Sequence, residues 1–529
     1  MKNIQINPVE GLKRVGYGEL VHRYFLKVMP HYVNSFIAEK GRRKTVIEGH
    51  QRTEIYTKRY DPGDNLEDHL TFALKFEGIN LETLNALFRV VDRKALERFI
   101  KEAPAGKYTR KIWFLYEYLM GEELDLDPSK VTNYVDLLDQ SKYYTAKGIP
   151  HRRQKVTDNL LGDRRFCPMV RRTDNLKNYI ALQLDRKGME VVGNYPGEVL
   201  RRAVSYLYTK ETKSSFEIER ATPDQKRAAR FVELLRMADD REFFNKPSLV
   251  ELQQATVDER FANNDFRTEQ NYVGQTVSFG NELIYFVAPK PEDIPELMKG
   301  MFYAYKRMMS SEVHPIVIAA VISFGFVFMH PFDDGNGRIH RFLVHNILAK
   351  KRFTPKGLIF PVSATMLRKI KQYDETLELF SVPLLPLLDF ELDSAGRMEV
   401  KNETGVHYKY MDMTAIAERL FGFIQDTIAN ELVSELDFIL DYDKAKLTIR
   451  DIVDMPDQLI DLFIRMCIQN KGKLSKNKLK SRFEQLTNNE ITQMEACVRD
   501  AFTGSGVTSA KAVVHKHLML LDSRVRGND

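Results

Sequence analysis

The residues best suited to chemistry lie between His330 and Arg341, in the segment HPFDDGNGRIHR. Apolar sequence stops abruptly there at a polar loop bracketed by glycines, and a helical pattern resumes after it. His330 can accept a proton near neutral pH, which makes it a candidate general base. Asp334 would repel a bare phosphate, but its carboxylate suits a magnesium ion that bridges phosphates.

The loop Gly335-Asn336-Gly337 comes just before a helical pattern, so its backbone forms the amino end of a helix. Such an end presents N–H groups and a partial positive charge, and glycine lets the backbone approach a ligand closely. This combination fits a phosphate group. Arg338 and Arg341 occupy neighbouring helical positions and can bind further phosphate oxygens in a forked geometry.

Two helices must hold this loop. Residues 315–329, PIVIAAVISFGFVFM, are almost wholly apolar, which predicts a helix buried on all sides that delivers His330 from the core. Residues 338–350, RIHRFLVHNILAK, place apolar side chains at helical spacing and predict a second helix that packs by one face.

The segment HPFDDGNGR followed by Arg341 resembles the HxFx(D/E)GNGRxxR signature of Fic (Fido) domains, and every fixed position matches. Members of that family mostly transfer AMP from ATP to a protein hydroxyl. The resemblance therefore implies ATP and Mg²⁺ as ligands and a Tyr, Ser or Thr of another protein, or of the chain itself, as acceptor. Family members that phosphorylate their target carry a bulky Lys at the position of Gly337 and bind the nucleotide reversed, whereas this chain keeps glycine.

The resemblance also implies a role for each matching residue. His330 would deprotonate the target hydroxyl, Phe332 would anchor the loop in the core, and Asp334 would hold Mg²⁺ on the α- and β-phosphates. The nucleotide would be bound by Gly335, Asn336, Gly337, Arg338 and Arg341, with the two arginines on the β- and γ-phosphates.

Upstream, Ser215 to Glu219 (SFEIE) resembles the family's inhibitory motif (S/T)xxxE(G/N), whose Glu pairs with the second Arg of the signature. The resemblance implies that Glu219 pairs with Arg341 and restrains the enzyme. Arg220 stands where the family has Gly or Asn, so the strength of this autoinhibition stays open. A surface glutamate without this role is the alternative, and Glu48 in KTVIEG is a less suitable candidate because Lys44 occupies its Ser/Thr position.

Two further segments resemble parts of the family's site. Residues 266–295 alternate on either side of Gly280-Asn281, which predicts a two-stranded hairpin like the family's flap, able to pair with an extended target segment. A hairpin with a purely structural role is the alternative. Residues 371–377, KQYDETL, resemble the YYxxL segment near the adenine, with Tyr373 as the only tyrosine of the pair.

The helical patterns favour a mainly α fold, and the resemblance implies a Fic-type helical core with a β-hairpin flap between helical accessory regions. Its 529 residues are too many for one core, and 43% hydrophobic with 29% charged residues is a globular composition. We predict an accessory region over residues 1–204, the core over 205–392 and a C-terminal region over 393–529.

Local patterns give the expected elements of these regions. Helices are predicted over 66–91 and 110–120, and Thr222-Pro223 with Gln225 indicates a capping box at a helix start. Residues 397–410 predict a hairpin with its turn at 402–405. After it, patterns over 452–467 and 491–502 predict a helical bundle or a winged-helix module, and we expect the tail after Gly504 to be frayed.

Composition narrows the partners and the setting. Three widely spaced cysteines, Cys167, Cys467 and Cys497, suggest neither a disulfide framework nor a zinc site, so we expect a reducing cytoplasm. No apolar run predicts a signal peptide or a membrane span. Arginine pairs between 152 and 172 could bind nucleic acid, but we favour a solvated or interdomain-pairing surface because only one aromatic residue is interleaved. The sequence leaves open whether the chain forms a homo-oligomer.

Three functions are therefore in view. The leading one is a protein adenylyltransferase with His330 as base. The second is the removal of AMP from a modified protein, with Glu219 orienting a water molecule. The third is a regulatory or interaction protein that senses nucleotide and binds partners or DNA through its helical flanks, although a core kept only for binding would not need His330.

Overall fold

The computed structural model describes residues 12–278, 281–474 and 482–503. It has the mainly α architecture that the sequence predicts. Its α-helices are α1 (Tyr17–Arg23), α2 (Leu66–Phe72), α3 (Leu81–Phe88), α4 (Arg93–Glu102), α5 (Lys107–Met120), α6 (Asp174–Ala181), α7 (Leu184–Gly193), α8 (Gly197–Ile218), α9 (Gln225–Arg236), α10 (Lys246–Thr256), α11 (Ile294–Met309), α12 (Pro315–Met329), α13 (Asn336–Lys350), α14 (Val362–Arg368), α15 (Ile370–Leu384), α16 (Gly405–Lys409), α17 (Thr414–Asp426), α18 (Val433–Arg450), α19 (Asp457–Gln469) and α20 (Asn488–Phe502).

The strands form small sheets between these helices. They are β1 (Lys13–Val15), β2 (Val33–Ala38), β3 (Lys44–Glu48), β4 (Gln51–Thr57), β5 (Val135–Asp136), β6 (Ile149–His151), β7 (Val156–Asp158), β8 (Tyr272–Ser278), β9 (Asn281–Val287), β10 (Phe390–Leu392) and β11 (Met398–Val400). The sheet orders are β1-β2-β4-β3, β5-β7-β6, β8-β9 and β10-β11.

The chain divides into two compact units. The first comprises Met1–Asn178, Glu242–Val344 and Lys371–Leu420, and the second comprises Tyr179–Arg241, His345–Ile370 and Phe421–Asp529. The predicted boundary between residues 204 and 205 falls inside α8. The three predicted regions stay a prediction.

In the first unit, α12 confirms the predicted buried helix, since nearly all of its residues are inaccessible to solvent. Each large apolar side chain buried in this way contributes about 1.5–3 kcal/mol relative to an exposed one. The predicted helix after the motif is also present as α13, which begins two residues earlier than predicted. These two helices flank the motif loop on its two sides in the sequence.

The amino-terminal part of the first unit contains strands that were not among the predicted elements. In its four-stranded sheet, β2 pairs with β4 in parallel, and β1 and β3 add at the two edges in antiparallel orientation. The helix predicted over 66–91 forms α2 and α3, with a π-helical turn at Ala73–Glu77 between them. These helices and α5 pack around a core that includes Leu70, Leu84 and Trp113.

The second unit has an apolar core formed by α18, α19 and α20, which includes Phe438, Phe463 and Met494. The predicted helical patterns over 452–467 and 491–502 correspond to α19 and α20. Between residues 401 and 503, the described parts contain helices and no strand. This favours the helical bundle over the winged-helix module, and the tail after Gly504 lies outside the described residues.

Two local predictions were wrong. Helix α9 starts at Gln225 with Asp224 as its cap, because the Asp224 carboxylate accepts from the N–H of Arg227, so Thr222 does not form the capping box. The hairpin near residue 400 has its turn at residues 393–397 and not at 402–405. Strand β11 pairs in antiparallel orientation with β10, which precedes it in the chain, and Gly405 begins a helix.

The arginine-rich segment is engaged in internal contacts. Arg153 pairs with Glu117, Arg165 with Asp163 and Arg171 with Asp412. These three arginines are paired within the first unit, and the expectation that the segment does not bind nucleic acid stays a prediction.

The cysteine thiols Cys167 and Cys467 are buried, and burial raises the pKa of Cys167 to about 12. A thiol in this state is a poor nucleophile. Among the described residues, none of the helices has both the length and the apolar character needed to cross a bilayer. The cytoplasmic setting stays a prediction.

Candidate functional site

His330 sits where the chain leaves α12. It adopts the left-handed conformation, with φ 48° and ψ 55°, which costs a non-glycine residue about 1–3 kcal/mol. Its ring atom Nδ1 lies 3.1 Å from the carbonyl oxygen of Val327. Because a carbonyl only accepts, Nδ1 must carry the proton of the neutral ring, and the lone pair lies on Nε2. This is the tautomer that a general base acting through Nε2 requires.

The residues after His330 form a loop that is closed by side chains. Phe332 is fully buried, as predicted, with its ring centre 5.6 Å from that of Phe266. Asn336 closes the loop from the other side, because its Oδ1 accepts from the N–H of Phe332 and its Nδ2 donates to the Phe332 carbonyl at 2.8 Å. The side chain of Asn336 therefore shapes the loop, and its backbone begins α13.

Gly335 is required by both conformation and space. Its φ is +93°, which glycine adopts without strain, and a Cβ there would lie 3.0 Å from Oγ1 of Thr256 and 3.1 Å from Cγ1 of Val257. A larger residue would therefore push the loop away from the end of α10. Gly337 lies in the first turn of α13, where backbone N–H groups have no partner within the helix.

Asp334 and Arg338 form an ion pair at the mouth of this loop. Oδ1 of Asp334 accepts from the N–H of Gly335 at 2.6 Å and from Nη2 of Arg338 at 2.7 Å. Arg338 is also held by the carbonyl of Thr256, at 2.6 Å from Nη1. Its side chain is buried, whereas that of Asp334 is 57% exposed. One carboxylate oxygen of Asp334 can therefore face a ligand while the other is held by the protein.

The predicted magnesium site is chemically reasonable at Asp334. Magnesium prefers hard oxygen ligands and is commonly bound through one or two carboxylates together with substrate phosphates and water. An exposed carboxylate beside a helix amino terminus offers that arrangement, because the phosphates would bring the remaining ligands.

Arg341 lies one helical turn further along α13 and is almost fully buried. Its Nη1 is 3.3 Å from Oη of Tyr373, which is buried as well. The structure thus brings Tyr373 to the second arginine of the motif. A role of Tyr373 beside an adenine ring stays a prediction.

The motif contains a second histidine, His340, which the sequence analysis left without a role. It is fully buried and packs against Phe324, with ring centres 4.5 Å apart. Burial lowers the pKa of His340 to about 3, so the ring stays neutral at ordinary pH. His340 is a core residue and does not compete with His330 for a proton.

Arg267 also holds the site, although no sequence motif marks it. This buried guanidinium donates to three backbone carbonyls, those of His330 (2.7 Å), Glu269 (2.6 Å) and Pro289 (2.5 Å). Burial lowers its pKa to about 10, so it keeps its charge at neutral pH. Arg267 therefore connects the backbone of His330 to the residues just before β8 and just after β9.

Two polar side chains near the end of α10 hold the motif loop from the opposite side. Gln253, which is fully buried, donates from Nε2 to the carbonyl of Asp334 at 3.3 Å and to Oδ1 of Asn263 at 2.9 Å. Asn263 in turn donates to the carboxylate of Asp333 at 2.6 Å. No motif marks these residues in the sequence, because they act through fold contacts and not through local spacing.

The predicted hairpin is present as the antiparallel pair β8 and β9, which is called the flap below. Its role in binding a target segment stays a prediction. Asn281 begins β9, and Gly280 lies outside the described residues. The base of this hairpin is attached to the motif loop, because Nδ2 of Asn271 donates to the carbonyl of Asp333 at 3.1 Å. The hairpin is thus positioned beside the loop that follows His330.

Glu219 lies directly after α8 with an exposed side chain, so the segment that resembles the inhibitory motif forms the end of a 22-residue helix. Arg220 follows with φ 53°. The N–H of Ala221 donates to the carbonyl of Phe216, and the N–H of Arg220 donates to that of Glu217. This is a Schellman ending, in which Gly or Asn is the usual left-handed residue. In this chain, the position that corresponds to the Gly or Asn of the motif is thus the left-handed residue of a helix end. The pairing of Glu219 with Arg341 stays a prediction.

Glu48 has a different setting. It ends β3 on an exposed edge, and Gly49 forms the tight turn into β4 with φ +60°. Its resemblance to the motif therefore comes from the glycine of a β-turn and not from the end of a helix.

Comparison with known proteins agrees with the motif. The model of the Fic/DOC family matches residues 243–348. "Protein adenylyltransferase Fic" of Drosophila virilis is 34% identical over 91 residues, and that of Drosophila grimshawi is 33% identical over the same length. The match covers 17% of this chain and 17% of each relative, so most of both proteins lies outside it.

A crystal structure of a Fic family protein from Desulfovibrio desulfuricans G20 aligns with 61% of this chain and 84% of its own chain. Its TM-score is 0.35 at 16% sequence identity.

Proposed function

We propose that this chain, which contains a Fic domain, is a protein adenylyltransferase that moves AMP from ATP to a hydroxyl side chain of a protein. The observation that carries the proposal is the contact between Nδ1 of His330 and the Val327 carbonyl. This contact places the lone pair of the neutral ring on Nε2, the atom that would act as the base, and the motif loop that follows begins a helix amino terminus suited to phosphate.

In the proposed reaction, Nε2 of His330 takes the proton of a Tyr, Ser or Thr hydroxyl. The oxygen forms a bond to the α-phosphorus of ATP, the bond from that phosphorus to the bridging β-phosphate oxygen breaks, and pyrophosphate leaves. Most of the rate enhancement would come from positioning and charge stabilisation, as in other phosphoryl transfers.

The remaining motif residues would bind the nucleotide. We propose that Gly335, Asn336 and Gly337 contribute backbone N–H groups to the phosphates, and that Arg338 and Arg341 bind the β- and γ-phosphates. Tyr373 would belong to the same site through its contact with Arg341. Asp334 would hold Mg²⁺, which would neutralise phosphate charge when bound.

The magnesium assignment leads to a first prediction. Asp334→Asn keeps an oxygen for the N–H of Gly335 and for Arg338 but removes the negative charge that a cation needs. We expect its affinity for Mg-ATP to fall about fivefold, or roughly 1 kcal/mol, with little change in affinity for ATP without magnesium. Calorimetric titration with and without magnesium measures both values.

Asp333→Asn is the matched control, because the neighbouring carboxylate is bound to Asn263 and has no assigned role with the metal. Binding of Mg-ATP to Asp334→Asn as tight as to the wild type would contradict the assignment.

The second prediction concerns the group that is transferred. Incubation of the wild type in cell lysate should label protein from ATP carrying the label on the α-phosphate, and should leave protein unlabelled when the γ-phosphate carries it. Transfer of the γ-label would indicate a kinase, and transfer of neither would contradict the proposed function. Release of AMP from a protein that already carries it would identify the removal reaction.

A further inference from the structure

A second hairpin packs against the flap. It consists of β10, β11 and the turn between them, residues 390–400, and is called the brace below. Apolar side chains of the flap, Tyr272, Ile284 and Val287, pack against brace residues that include Met398 and Val400. An isolated two-stranded hairpin is marginally stable in water, so the flap needs such a partner to hold a defined position.

One hydroxyl links the two strands of the flap to the brace. Oη of Tyr272, at the start of β8, lies 2.6 Å from Oε2 of Glu282 in β9 and 3.0 Å from the carbonyl oxygen of Gly396. The hydrogen bond with Glu282 raises the pKa of Tyr272 to about 12, so the hydroxyl keeps its proton. Its single proton is shared between an acceptor in the flap and an acceptor in the brace.

The same end of the flap is attached to the motif loop. Tyr272 pairs across the hairpin with Val287, whose carbonyl accepts from the buried Oη of Tyr408 at 2.6 Å. Asn271, just before Tyr272, donates to the Asp333 carbonyl, and its own carbonyl accepts from the N–H of Ala288. The position of β8 and β9 relative to His330 is therefore set at this end.

We propose that Tyr272 is a positioning residue for the protein acceptor. By joining β9 to the brace, its hydroxyl holds the flap in the orientation in which an extended target segment can pair with it and bring a hydroxyl to His330. This inference rests on the proposed function. Tyr272 acts through the flap and is not among the residues assigned to the nucleotide, so its loss should weaken acceptor binding more than it weakens the chemical step.

The test compares Tyr272→Phe with the wild type in the full chain. Phenylalanine keeps the ring packing and removes both polar contacts. We expect amide hydrogen exchange in β8 and β9 to become about tenfold faster, with exchange in α12 and α13 unchanged. At fixed Mg-ATP, the amount of lysate protein that gives half-maximal transfer of α-label should rise about fivefold, with the plateau rate changed less than twofold and Mg-ATP affinity unchanged.

Tyr303→Phe in α11 is the control. Its hydroxyl accepts from Nη1 of Arg307 at 3.2 Å within the same helix, away from the flap, the brace and the motif loop. This variant should behave as the wild type in both measurements. Normal exchange and an unchanged half-maximal amount in Tyr272→Phe would overturn the positioning role. Absence of any transfer by the wild type would instead overturn the proposed function, and the acceptor role with it.

Discussion

His330→Ala should lower the transfer of α-label to protein by about a hundredfold to ten-thousandfold, which is the usual cost of removing a general base. The reason is local. Only the side chain supplies Nε2, whereas the contacts that hold the backbone of His330, from Arg267 and from the end of α12, do not depend on it. The unfolding temperature and the affinity for Mg-ATP should therefore stay close to the wild-type values while transfer is lost.

His330→Asn is the better-matched variant. His330 has a left-handed backbone, which asparagine adopts more readily than alanine, so the asparagine variant separates loss of the base from strain in the loop. Its amide cannot accept the proton at neutral pH. Both variants should be equally inactive. Transfer at the wild-type rate in either one would show that another group is the base, and the burial of His340 leaves that residue unsuited to replace it.

The motif and its two helices were predictable because their information is local. Fifteen consecutive apolar or small residues before His330 fit a buried helix, and the glycines after it fit a tight loop at a helix start. The flap was predictable for the same reason, since alternation over two short runs around Gly280-Asn281 is a short-range pattern.

The features that escaped prediction depend on contacts between distant parts of the chain. The parallel pairing of β2 with β4 needs a connection through β3, and no local pattern states which strands will be neighbours. The turn of the brace was predicted at Asn402 to Gly405, because these are turn-forming residues. In the structure β11 pairs with β10, and the turn between them is Asp393–Arg397. Arg267 and Gln253 support the site through buried contacts with backbone carbonyls, which residue type and spacing do not reveal.

Relief of inhibition is the second large effect that we expect. A carboxylate paired with Arg341 would occupy the guanidinium fork that the γ-phosphate needs, and such charge-assisted pairs are strong. Glu219→Gly should therefore raise transfer or self-modification about tenfold or more, equivalent to roughly 1.4 kcal/mol of barrier. Glu219→Gln, which keeps the size and removes the charge, should give a similar rise. Label transfer per unit time in lysate measures both.

A variant of Arg220, the residue after Glu219, tests whether the end of α8 contributes to inhibition. Arg220 occupies a left-handed position that costs a side chain about 1 kcal/mol relative to glycine. Arg220→Gly should therefore stabilise the end of α8 and leave inhibition at least as strong as in the wild type. A rise in activity in this variant would mean that the arginine itself, and not the helix end, restrains the enzyme.

Two further variants decide whether Glu219 acts through Arg341. In Glu219→Gly combined with Arg341→Ala, the gain from removing the carboxylate should disappear, because the arginine that binds phosphate is also gone. Glu48→Gly should change little, since Glu48 ends a strand on an exposed sheet edge and its glycine serves a β-turn. If Glu219→Gly left activity unchanged while Glu48→Gly raised it, the restraint would lie in the amino-terminal sheet and not at the end of α8.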